Sequence, residues 1–92
     1  MSVKWRVDAL SLDVDQIPTI IWDEDRSPES RDMLARFEGS RYFRIVDHVS
    51  DYRRIDEALL RGQALAALVV PIGFGRKVLD GKPVAVQLLL DG

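Results

Sequence analysis

Residues 64–71, ALAALVVP, place seven consecutive apolar residues in front of a proline. The run is too short for a buried helix, ends in β-branched residues and has no polar alternation, so it reads as a strand covered on both faces. Such a strand needs helices on both sides of its sheet, which argues for an α/β layer rather than a sandwich or a helical bundle. The rest of the chain supplies matching pieces. TIIWD, residues 19–23, is a second compact β-branched and aromatic run, set off by Pro18. YFRIVDHV (42–49) and PVAVQLLLDG, with its strand at 84–90, read as two more strands. VKWRV and ALSLDV, within residues 3–14, alternate apolar and polar positions as a half-exposed strand does.

Between these runs the period changes. In RSPESRDMLARFEG, Met33, Leu34 and Phe37 share a helical face with Ser30 one turn earlier. Ser27 is the expected N-cap, Pro28 sits at the first helical position, and Gly39 stops the helix. SDYRRIDEALLRG predicts a second helix opened by Ser50 or Asp51, burying Tyr52, Ile55, Ala58 and Leu59 and closed by Gly62. Gly73, Gly75 and Gly81 limit IGFGRKVLDGK to a short turn of helix at 74–79. Right-handed crossovers place the strands at 42–49 and 64–70 on either side of the strand at 19–23, with 84–90 outside the latter. The expectation is one α/β domain over residues 1–92, of two or three layers. Its mainly parallel four-stranded sheet has order 2-1-3-4, and the N-terminal strand is available to add to an edge.

Composition narrows function by exclusion. Thirteen Lys and Arg stand against fifteen Asp and Glu, a net charge of -2 with both signs scattered, so no basic field points to nucleic acid. The central arginines at 26, 31, 36, 41, 44, 53, 54 and 61 are interleaved with acids, as on a solvated, mutually compensated face. No cysteine is present, which removes disulfides and thiol chemistry. No apolar segment approaches the roughly 18–20 residues that span a bilayer.

The acidic trio Asp23, Glu24 and Asp25 lies where a predicted central strand turns into a helix, the end of an open α/β sheet where sites tend to form. Adjacent residues of an extended chain point to opposite faces, so at most Asp23 and Asp25 share a ligand. Joined by Asp47 or Asp91, they would make a magnesium pocket like that of a receiver domain, which is the alternative reading: a soluble receiver-like or hydrolase-like domain. The structural reading has these carboxylates accepting orphan backbone donors at the turn and the helix start. His48, the only histidine, has no cysteine partners for a zinc site and no positioned nucleophile for a triad. IGFGRK lacks the spacing of a phosphate loop. No catalytic constellation, metal site or cofactor is expected.

The same passages, taken as motifs, resemble the large extracytoplasmic domain of type-two ABC export permeases, the bacterial drug and macromolecule efflux transporters. IPTIIWDEDRSPESRDMLARFEGSRYFRIV resembles the family's proline-marked strand, Asp-x-Asp turn, Ser-x-x-Ser-Arg helix start and Tyr-Phe strand. ALLRGQALAALVVPIGFGRKVLDGKPVAVQLLLDG resembles its later half. There Arg61 and Gly62 precede the VVP strand end, a Gly-Phe turn follows at Gly73 and Phe74, and a Gly-x-Pro at Gly81–Pro83 leads to a strand ending in Asp91-Gly92. Glu24 stands where the family more often has Gln or Arg, and Ile72 where it has Pro after VVP.

The resemblance implies a noncatalytic domain between the first and second transmembrane helices of a bacterial inner-membrane permease, on the periplasmic or extracellular side. The implied partners are a second permease subunit, an ATP-binding subunit reached through the intact membrane protein, and a membrane-fusion adaptor. The implied contributions are dimer or adaptor contacts and the substrate exit path. Its motif residues are architectural: Asp23, Asp25, Ser27, Ser30, Arg31, Tyr42, Phe43, Pro71, Gly73, Phe74 and Asp91.

Overall fold

The computed structural model describes residues 16–90. The strands are β1 (Ile17–Asp23), β2 (Phe43–His48), β3 (Ala66–Val70) and β4 (Gln87–Leu90). The helices are α1 (Pro28–Glu38), α2 (Tyr52–Leu60) and α3 (Phe74–Leu79). The strands form one sheet of order β2-β1-β3-β4, as the crossover rule predicts. β1 is parallel to both β2 and β3, and β4 is antiparallel to β3. The N-terminal strand expected within residues 3–14 lies outside the described residues.

All five residues of β3 are buried, as its unbroken apolar run requires. One face of the sheet packs Ile20, Ala67 and Val69 against Ile55 and Ala58 of α2. The other packs Ile21, Leu68 and Val70 against Leu34 of α1 and Phe74 of α3. The architecture is therefore three-layered. The β1–β2 and β2–β3 crossovers have the same hand and run in opposite directions across the sheet, which puts their helices on opposite faces, and α1 and α2 are so placed.

Local chemistry explains the boundaries. Ser27 caps α1 in a reciprocal capping box: its hydroxyl accepts from the Ser30 amide at 3.0 Å, and the Ser30 hydroxyl accepts from the Ser27 amide at 3.0 Å. Pro28 takes the first position, where a missing N–H costs nothing. Asp51 caps α2 by accepting from the Arg54 amide at 2.8 Å.

Three features depart from the sequence pattern. Pro18 lies inside β1 rather than before it. Its carbonyl accepts from Leu65 on the β3 side, so its nitrogen faces that side too, short of the first β3 pair at Thr19 and Ala66. Tyr52 is 46% exposed instead of buried, its ring edge-on to Trp22 at 4.9 Å. β4 begins at Gln87 rather than residue 84, because its register ends opposite Val69 and β3 itself stops before Pro71.

Candidate functional site

The carboxyl ends of the three parallel strands lie together, and the connections leaving β1 and β2 there run to helices on opposite faces of the sheet, the usual location of a site in an open α/β sheet. Asp23 is the last residue of β1, and Asp25 follows it in the connection to α1. Their carboxylates face different partners.

Asp23 Oδ1 accepts from the backbone amides of Asp25 at 3.1 Å and Arg26 at 2.9 Å, closing a tight turn that holds Arg26 at φ 54°. Its Oδ2 accepts from the Ser30 hydroxyl at 2.7 Å. Ser30 Oγ also lies 2.9 Å from the Ser27 carbonyl. It has one proton, and the charged acceptor at shorter range is the stronger partner. Ser30 is fully buried, so this bond satisfies a hydroxyl that has no access to water.

Asp25 reaches across to the β3–α3 connection. Its Oδ1 accepts from the Gly73 amide at 2.8 Å and its Oδ2 from the Gly75 amide at 2.8 Å. The Ser27 side chain lies next to this carboxylate. Together these donors hold the Asp25 carboxyl below the ordinary aspartate value of 3.8, Ser27 contributing most and the Gly75 and Gly73 amides following. A carboxyl depressed in the folded state stabilises it above the unfolded value, so this contribution is full at neutral pH. It is lost as pH falls below 3.8 through the folded value.

Two glycines make the latch sterically feasible. Gly73 adopts φ 92°, in the left-handed region that side chains rarely enter. Gly75 has no such constraint on φ, but a Cβ there would lie 2.6 Å from Ser27 Oγ, 2.8 Å from Ser27 Cβ and 2.7 Å from Glu29 Oε1. The start of α1 and the start of α3 are in contact because residue 75 has no side chain.

Of the residues singled out in the sequence, Asp23, Asp25, Ser27, Ser30 and Gly73 come together here. Phe74 sits beside them with its ring in the core at 5% exposure, and Pro71 accepts the Phe74 amide at 3.2 Å. Arg31 lies on the exposed side of α1, lining an open groove of about 280 Å³ with Asp23, Leu34, Ala35, Glu38 and His48. Tyr42 and Phe43 lie at the opposite end of the sheet, where the Phe43 ring stacks on Phe37 at 4.2 Å. Asp91 is outside the described residues. In the sequence Gly75 limits the length of a helix, and its contact with Ser27 has no local sequence signature.

What the arrangement does chemically is accept hydrogen bonds. All four oxygens of Asp23 and Asp25 are engaged by amides or hydroxyls. Among the described residues no group of three or more His, Asp or Glu is placed to hold a metal. Asp47, at the end of β2, pairs with Arg54 at 3.2 Å, away from the trio. His48 Nε2 is 3.9 Å from Glu38 Oε1 on the surface. Titrating magnesium while following backbone amide shifts is expected to leave Asp23, Asp25, Gly73 and Gly75 without saturating changes. Localised, saturable shifts at those four residues would mean that a cation displaces the capping bonds.

With this geometry in view, the chain is similar to a crystal structure of a domain assigned to an ABC type-2 transporter from Thermotoga maritima MSB8. The TM-score is 0.68 at 22% sequence identity, over 79% of this chain. The chain has the fold of that domain. The match spans 49% of the solved chain, about half its length. No protein-family model matches the chain, and no curated protein matches it. No helix among the described residues is long and apolar enough to cross a membrane.

Proposed function

We propose that this chain is the noncatalytic, extracytoplasmic domain of an ATP-driven export permease of the type-two ABC class, carried between two membrane spans. In this role it contributes contacts to a second permease subunit or to an adaptor, and borders the path by which substrate leaves. ATP hydrolysis belongs to a separate nucleotide-binding component. The observation that carries the reading is the shared fold with the transporter domain. The state of Asp23 and Asp25 supports the noncatalytic part, since their carboxylates are used as backbone caps. On this view Asp23, Asp25, Ser27, Ser30 and Gly73 are an architectural signature, and so are Arg31, Tyr42, Phe43, Pro71, Phe74 and Asp91.

The chain has no cysteine, which makes its side of the membrane measurable. Ile72 is 77% exposed and lies in the β3–α3 connection. In the whole protein in its membrane, Ile72→Cys is expected to react with an impermeant maleimide in intact cells. Labelling only after lysis would put the domain in the cytoplasm and end this reading.

A further inference from the structure

The two ends of the sheet differ in chemistry. At the amino end of the parallel strands lie the α1–β2 loop, residues 39–42, and the α2–β3 loop, residues 61–65. They are tied to the start of β1: Gln16 donates to the Arg41 carbonyl at 3.0 Å, Ile17 to Tyr42 at 2.8 Å, and Leu65 to Pro18 at 2.9 Å. Because β4 is antiparallel, Leu90 finishes at this same end, opposite Ala66. The first and last described residues of the fold therefore leave it on one side.

That end exposes apolar and basic side chains together. Leu60, the last residue of α2, is 88% exposed, Leu65 46%, Leu90 50% and Tyr42 42%. The only charged residues in the two loops are Arg41 and Arg61, and the Arg41 guanidinium lies 5.7 Å from the Tyr42 ring centroid. The opposite end carries more acids than bases: Asp23, Glu24, Asp25, Asp47 and Asp51 lie at strand ends and helix starts, with Arg26 among them and Arg54 paired to Asp47. Exposed leucines beside arginines and a tyrosine suit the boundary between headgroups and acyl chains, where the apolar parts insert and the cations meet lipid phosphates.

We propose that this end of the domain, carrying Leu60, Leu65, Leu90, Tyr42, Arg41 and Arg61, rests on an anionic lipid surface. The proposal deepens the permease reading and rests on it. Two flanking spans would join the domain on the one side from which both its ends leave, bringing these loops to the headgroups. The acidic end, with the Asp25 latch, then faces away from the bilayer.

The test attaches the chain by a histidine tag after Gly92 to vesicles containing nickel-chelating lipid, which stands in for an anchor. An environment-sensitive fluorophore is placed on Leu60→Cys, on Leu65→Cys, or on Ile72→Cys at the other end. On vesicles containing phosphatidylglycerol, emission at 60 and 65 is expected to shift to the blue and to resist iodide quenching, with a smaller shift on phosphatidylcholine alone. The probe at 72 is expected to stay unchanged. No shift at 60 and 65, or an equal shift at 72, overturns the proposal. So does a shift that appears without lipid and grows with protein concentration, which assigns the surface to a second copy of the chain. Failure here with Ile72→Cys still labelled from outside intact cells removes the lipid contact alone, whereas labelling only after lysis removes the permease placement itself.

Discussion

Phe74→Ala is expected to lower the stability of the domain by about 3–5 kcal/mol, the range for truncating a well-buried aromatic to alanine. Phe74 is 5% exposed and packs with Ile21, Leu34, Leu68 and Val70, so its ring joins α1, the two central strands and α3. Total stabilities of small domains are about 5–15 kcal/mol, which makes this single ring a large fraction of the whole. The loss combines the transfer free energy of the ring with a cavity that neighbours on three elements fill only in part. At about 1–3 kcal/mol per molar urea, the unfolding midpoint should fall by roughly 2 M, or the variant should be unfolded in buffer. Phe74→Leu, which retains an apolar plug, should lose clearly less. A midpoint within experimental scatter of the parent for Phe74→Ala would show that the ring is not part of the core.

Phe74 illustrates how unevenly this fold can be read from its residues. The burial of β3 was legible because seven apolar positions in a row leave no other arrangement than cover on both faces. The start of α1 was legible because Ser27 and Pro28 each suit only one place at a helix terminus. Strand order followed from crossover handedness once the alternation of strands and helices was recognised. The direction of β4 was not, since a six-residue helix and an extended return carry no local signal of parallel or antiparallel pairing. β4 is also mostly exposed although its residues are largely apolar. Leu88 is 46% exposed because an edge strand has a neighbour on one side only.

The site was legible as a place and not as a set of bonds. That Asp23 and Asp25 fall at a strand-to-helix junction follows from the pattern around them. That Asp25 caps amides 48 and 50 residues away depends on bringing the β3–α3 connection against the α1 start, which only the folded sheet does. The resemblance to export permeases drew on the order of these short motifs. The fold ties one of the earlier motifs to one of the later ones through Asp25 and Gly73.

Gly75 is where that tie is most vulnerable, and Gly75→Ala is expected to destabilise the domain by about 1–3 kcal/mol through overpacking. Glu29 Oε1 is the far end of a flexible side chain and can swing away from a new methyl group at little cost. Ser27 cannot, because its Cβ is one bond from the backbone and its hydroxyl is held by the Ser30 amide. The methyl group therefore either pushes α3 off the helix start, stretching the Gly75 bond to Asp25, or breaks the capping box. Ser27→Gly alone should cost less than the overpacking, since glycine is a tolerable N-cap. With both changes the clash with the serine side chain is gone, so the double variant should be more stable than the sum of the two single losses implies, a coupling of the kind seen between residues in contact. Urea midpoints of the four proteins measure it. Strict additivity would mean that the starts of α1 and α3 are not pressed together at this glycine.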